Sequence, residues 1–126
     1  MRHRRGRYAE RLAAEHLVAA GFTILWQNLR MGPLEIDLVA QRGDLVAIVE
    51  VRARGPGSFI GPLASVTWQK RRLLLRAARG LWRGRLKARP DVRRVRLDVV
   101  AVTFPIPGVT EAPSIEWIQG AFTENG

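Results

Sequence analysis

The chain of 126 residues has no cysteine, one tyrosine, two methionines, two histidines and two lysines, and it is short of acids. The missing cysteine excludes a disulfide framework, a thiolate metal site and a cysteine nucleophile. It also fits a reducing compartment, so the expected location is the cytoplasm. His3 reads as tail and His16 as a packing residue on the first helix, and neither has a companion at metal-ligand spacing. No apolar run approaches the roughly 20 residues a membrane helix needs, so no membrane partner is expected. The opening MRHRRGRYAER is basic, but it leads into an amphipathic stretch with Glu10 and Glu15 and does not read as a signal peptide.

Acids number 11 against 21 lysines and arginines, for a net charge of +10 and a pI near 11.7. Such an excess favours a polyanionic partner, most simply nucleic acid. Its placement says more than its total. From Lys70 to Arg96 there are twelve basic residues and one acid, Asp91, while the rest of the chain is nearly balanced. A solvated surface helix would carry acids among its bases. Hydrophobic content of 47% and charged content of 25% are ordinary for a globular protein. The length suits one domain over residues 1–126, with a basic arm at 1–6 and a frayed tail from about 121.

Periodicity predicts a helix from about Arg7 to Ala20, with Ala9, Ala13, Leu17 and Ala20 on one stripe and Gly21 as the stop. Three strands follow, at Phe22 to Leu29, Leu34 to Gln41 and Asp44 to Arg52, with turns at Met31-Gly32-Pro33 and Arg42-Gly43. RGPGSFIGP is a loop, Leu63 to Trp82 a long helix, and residues 83–93 a basic connection. A fourth strand runs from Arg94 to Thr103, with a short edge strand at Ser114 to Gln119. The order αβββαβ plus an edge strand predicts an α/β domain, a mixed sheet flanked by helices.

Charges sit where strand patterns usually carry none. Alternation puts Glu35 and Asp37 on one face of the second strand, and Glu50 and Arg52 on one face of the third. If Arg42-Gly43 is a two-residue hairpin loop, Glu35 lies opposite Glu50 and Asp37 opposite Ile48. Opposed like charges destabilise a sheet. A divalent cation among them removes that cost, since Mg²⁺ is typically held by one or two carboxylates with water and phosphate. Plain ion pairing by Arg52 and Arg54, with no metal, accounts for the same spacing.

On the long helix Val66, Leu73, Leu74, Ala77, Ala78 and Leu81 form an apolar stripe with Lys70 in its middle. A lysine there must snorkel out or meet an anionic site. Arg72, Arg76, Arg79 and Arg83 fall on the opposite side, a ridge suited to phosphates, and with Arg54 and Arg71 they are the expected nucleic-acid contacts. Trp68, one turn before Arg72, reads as a packing residue rather than a base-stacking one.

The strings GRYAERLAAEHL, GFTILWQNLR, LEIDLVA, VAIVEVRAR, the Lys70 helix and RLDVVAV resemble the YraN family of small bacterial predicted nucleases, within the restriction-endonuclease-like PD-(D/E)XK superfamily. The resemblance runs from about Gly6 to Phe122. It rests on Gly6 and Glu10, Asn28 and Arg30, Glu35-Ile36-Asp37, Glu50, Arg54, Lys70, and Arg96 with Asp98, in the family's order. It implies a restriction-endonuclease-like fold, with a four-stranded mixed sheet core and helices on both sides. It also implies a Mg²⁺ or Mn²⁺ site at Asp37 and Glu50, which Glu10 would complete or tune unless it serves only as an N-terminal helix acid. Arg96 and Asp98 read as a structural pair.

Two positions depart from the family pattern. Leu34 replaces the glycine of GEID, and Arg52 replaces the lysine of VEVK, the group that positions or deprotonates the attacking water. Arginine can steady a phosphate but, staying protonated, is no base. Lys70 is the candidate to supply part of the missing role. The expected function is therefore a Mg²⁺-dependent DNA endonuclease acting on branched or damaged DNA. Two-fold junction substrates would suit a homodimer. The competing expectation is a non-catalytic DNA- or RNA-binding module with a degenerate site. A third reading, a basic RNA- or ribosome-associated protein, explains the charge but not the acids.

Overall fold

The computed structural model describes residues 4–57, 60–106, 108 and 112–123. Helix α1 (Arg4–Ala19) is followed by β1 (Thr23–Met31), β2 (Leu34–Arg42), β3 (Leu45–Arg54), α2 (Trp68–Leu81), a π-helical turn (Trp82–Leu86), β4 (Arg94–Thr103) and β5 (Ser114–Ile118). The strands form one sheet in the order β1-β2-β3-β4-β5, parallel only between β3 and β4. The α/β class and its element order are as expected, and the sheet counts β5 as a fifth strand. Part of the stretch expected as a basic arm is the first turn of α1, and His3 lies outside the described residues. At the other end, the Ala121 amide donates to the Leu97 carbonyl at 2.7 Å and Phe122 is buried. The chain is therefore docked at 121–122, where fraying was expected.

Each face of the sheet carries one helix because each helix has one apolar stripe to bury. Ala9, Ala13 and Leu17 of α1 pack on Leu38, Ala47, Val49 and Val100. Leu74, Ala77 and Leu81 of α2 pack on Ile36, Val39, Ile48 and Val99. Each fully buried leucine contributes about 1.5–3 kcal/mol. The middles of β2, β3 and β4 are apolar on both faces, as strands covered on both sides must be.

Helix α2 starts five residues later than the apolar spacing suggests. Thr67 caps it, its Oγ1 accepting from the Lys70 amide at 3.1 Å. The preceding Leu63 to Val66 is a turn, closed by Ser65 N donating to Gly61 O at 3.1 Å and Val66 N to Leu63 O at 3.1 Å. At its far end the helix loosens into the π turn, where the Lys87 amide reaches the Trp82 carbonyl at 2.8 Å. That turn brings Leu86 into the core, so the connection expected at 83–93 is partly helical.

The β2–β3 hairpin turns at Gly43-Asp44, with Arg42 paired to Leu45 and Gly43 at φ +61°. The expected loop was one residue earlier, at Arg42-Gly43. The register therefore shifts by two: Val39 faces Ile48 and Leu38 faces Val49, where Asp37 was expected to face Ile48.

The β1–β2 hairpin breaks strict alternation. Leu38 packs in the core under α1, yet Ile36, two residues away, packs in the core under α2. The sheet surface therefore changes sides across Asp37. On β1, Gln27 pairs with Leu38 and Leu29 with Ile36, and Asn28 between them has φ +52°. That left-handed backbone is open to asparagine and costly for a β-branched residue. Asn28 Nδ2 donates to Glu10 Oε1 of α1 at 3.1 Å, which fastens the kink to the helix. We expect Asn28→Gly to keep stability within about 1 kcal/mol and Asn28→Val to lose about 1–3 kcal/mol in urea unfolding. Equal losses would show that the positive φ is not what selects asparagine here.

Candidate functional site

Glu50 lies on β3 between Val49 and Val51, both packed toward α1, so its own side chain points toward α2. It is 3% exposed. Asp37, 7% exposed, stands at the point where β2 changes faces. The β2–β3 ladder ends at Leu38 and Val49, and beyond it the Val51 amide donates to Asp37 Oδ2 at 2.7 Å. A side chain thus takes the place of a strand partner, and two carboxylates meet in the wedge where the strands part.

Two cations stand at the mouth of that wedge. Arg52 Nη1 is 3.6 Å and Lys70 Nζ 3.7 Å from Glu50 Oε2, with 39% and 35% of their side chains exposed. Both distances exceed a direct hydrogen bond. Glu50 Oε1 is buried and accepts no hydrogen bond. Lys70 reaches Glu50 because the parallel β3–β4 pairing carries α2 across this face.

Burial pushes the Glu50 carboxyl up to about 7. That value is a balance in which the Asp37 charge and a hydrogen bond with Asp37 also raise it while Lys70 and Arg52 pull it down. The folded chain thus keeps a proton on Glu50 between its ordinary value of 4.5 and about 7, where the unfolded chain has released it. This contribution to stability is whole below that window and falls as pH rises through it.

The other candidates separate. Glu35, expected beside Glu50, lies between Leu34 and Ile36, which both pack toward α2, so it points to the α1 side. There it lines a groove with Glu10, Gln27 and Asn28. Its separation from Glu50 follows from the face change at Asp37. Glu10 contacts Asn28. Among the described residues no three or more of His, Cys, Asp and Glu gather as a metal-binding group, so the cluster at Glu50 is a carboxylate pair.

Arg54 ends β3 on the Glu50 face, its carbonyl accepting from the Phe104 amide at 2.8 Å. Arg72, Arg76, Arg79 and Arg83 are exposed on the outer side of α2 and the following turn. Arg71 is turned to the loop instead: Nε donates to Val66 O at 3.0 Å and Nη2 to Leu63 O at 2.7 Å. Arg96 and Asp98 form a bidentate pair at 2.8 and 2.9 Å, and Asp98 also accepts from Trp117 Nε1 and the Gly120 amide. That pair ties β5 to β4. His16 packs its ring edge-on against Trp117, 5.8 Å between centroids. Asn28 and the Val51 amide are the positioning groups that charge patterns miss; the first entered only through the family resemblance, with no role attached.

The fold and site define a small α/β domain with a buried carboxylate pair beneath two cations. The chain belongs to the uncharacterised protein family UPF0102, the YraN family, whose description it matches over residues 9–102. It is 43% identical over 117 residues to a UPF0102 protein of Sorangium cellulosum, covering 93% of this chain and 79% of that one. A UPF0102 protein of Streptomyces coelicolor is 41% identical over 116 residues, covering 91% and 85%. One from Clavibacter michiganensis is 39% identical over 117 residues, covering 92% and 93%. Among the described residues no helix is long and apolar enough to cross a membrane.

Without divalent cations, the unfolding free energy of Glu50→Gln minus that of the native chain should grow by on the order of 3 kcal/mol between pH 4.5 and about 7. A difference that stays flat over that range in urea titrations would place the proton elsewhere.

Proposed function

We propose that this protein is a divalent-metal-dependent endonuclease of the restriction-endonuclease-like PD-(D/E)XK kind, cutting branched or damaged DNA. The observation that carries the reading is the vertical order of charge: two buried carboxylates form the floor and two half-exposed cations form the rim. Arg52 and Lys70 form ion pairs with Glu50 that are longer than a direct hydrogen bond. Here the cations stop 3.6–3.7 Å away, and Glu50 Oε1 has no donor.

The donor set fits Mg²⁺ or Mn²⁺, with Asp37 and Glu50 as the residues that would hold it. When bound, such an ion supplies Lewis acidity, making water more acidic and offsetting charge on the phosphate. The residues of the chain do the rest. The Val51 amide fixes the Asp37 carboxylate. Lys70 and Arg52, above the floor, are placed to receive the phosphate and to counter the charge that grows on it during in-line attack. The exposed arginines of α2 and the positive excess between Lys70 and Arg96 would hold the flanking backbone.

Arg52 supports the second reading, a nucleic-acid-binding module without turnover. It supplies charge but cannot accept the proton of an attacking water. Lys70 is the nearer analogue of the expected lysine, since it brings an amine to Glu50 where Arg52 brings a guanidinium.

The test is incubation of the purified chain with plasmid, linear and four-way-junction DNA, in Mg²⁺, Mn²⁺ or EDTA, beside three variants. We expect cleavage with either metal, none in EDTA, and background levels for Asp37→Ala and Glu50→Gln. Arg52→Lys should raise the rate by roughly 10- to 100-fold by restoring a group that can pass a proton. Binding without cleavage on every substrate would select the module, and cleavage surviving Asp37→Ala would remove this site from the reaction. A rate unchanged or lowered by Arg52→Lys would mean that arginine does not compromise the site.

A further inference from the structure

Trp68 opens α2 with 64% of its surface exposed, while Trp26, Trp82 and Trp117 pack against the cores. The expectation that it packs is therefore corrected. An indole left in water contributes little to folding. Its position is nonetheless built. The Arg71 guanidinium lies 4.5 Å from the ring centroid, and Arg71 is itself fixed by the Val66 and Leu63 carbonyls. An arginine that neighbours a basic ridge is thus held to the fold, where it orients one tryptophan.

The helix continues the surface. Trp68, Arg72, Arg76 and Arg79 follow at steps of four, four and three, so they share the outer side of α2, and all are exposed. At 1.5 Å per residue they span roughly 17 Å. An aromatic plane at the head of a row of cations matches a chain that carries flat rings on a phosphate backbone. Bases inside a duplex are stacked on one another and offer the plane nothing. An unpaired base offers a whole face.

We propose that Trp68, oriented by Arg71, is a stacking platform for an unpaired nucleobase, and that the preferred substrate carries a single-stranded segment leading onto the arginine row. This rests on the nucleic-acid reading above. The platform sets substrate preference and takes no part in bond cleavage.

The test measures binding in EDTA by fluorescence anisotropy, using labelled oligothymidylate, oligouridylate and a blunt DNA duplex. Trp68→Ala should weaken both single strands roughly tenfold and leave the duplex unchanged. Trp68→Phe should keep most of the affinity, and Arg76→Ala should weaken single strands and duplex alike. Tryptophan emission should fall when a single strand binds the native chain but not when it binds Trp68→Ala. The platform is overturned if Trp68→Ala leaves the single strands unaffected, weakens the duplex equally, or acts on only one of the two sugars. If the native chain binds none of the three, the nucleic-acid reading fails and takes the platform with it. That result is distinct from binding that ignores Trp68.

Discussion

The parallel pairing of β3 with β4 is the constraint from which the site follows. Antiparallel neighbours can be joined by two residues, but parallel ones need a crossover. Here the crossover is α2, which must cover one face of the sheet, and its first turn must pass near the end of the strand it has just left. That end carries Glu50 and Arg52, and the first turn carries Lys70. Ligands in α/β sheets gather at the carboxyl ends of parallel strands for the same reason, since loops and helix starts converge there. The carboxylate pair depends on a second departure from regularity. β2 leaves β3 after Leu38, and the Asp37 side chain occupies the amide that the departing backbone vacates.

Much of this was legible in the residues. β4 reads correctly from Arg94 to Thr103 because a run of valines flanked by polar residues admits no helix of useful amphipathicity. Lys70 announces itself as a charge inside an apolar stripe. The turn at Gly43 was visible too, but Arg42-Gly43 and Gly43-Asp44 are equally good loops on paper, and choosing between them moves every pair by two. The face change at Asp37 was hidden for a deeper reason. A positive φ is a property of the backbone, and asparagine within a strand looks like any polar residue turned to solvent. Alternation counted along β2 through Asp37, with the loop set at Arg42-Gly43, therefore put Glu35 beside Glu50, on the wrong side of the sheet. Helix propensity likewise carried α2 back to Leu63, because apolar spacing continues through a turn that Thr67 ends.

Basic charge in this chain is divided by task. Arg96 is held in a bidentate pair on buried Asp98, and Arg71 lies against carbonyls and a tryptophan. Arg94 faces Asp44 across the β3–β4 entry at 3.0 Å, and Arg42 reaches the Ala20 carbonyl at 2.8 Å. Composition alone would count all of these as available to a polyanion. The outer row on α2 is different in kind, because its guanidiniums stand on one side of one helix and keep a fixed spacing. Net charge draws a partner in, but the geometry of such a row decides how it lies.

The kink at Asn28 also bears on how chains of this kind can change length over evolution. On the far side of it, toward the Gly32-Pro33 turn, Leu29, Met31, Leu34 and Ile36 all serve the layer under α2, while on the near side Trp26 and Val39 serve that layer and Ile24, Leu38 and Ala40 serve the layer under α1. Removing one residue within β1 would restore simple alternation and send Leu29 and Met31 to the opposite layer, leaving Asp37 without its corner. Additions at the tip, beyond Met31 and Leu34, leave both layers as they are. Drift in length should therefore collect at the hairpin tip, while the strand between Trp26 and Leu29 keeps its count even as its residues change.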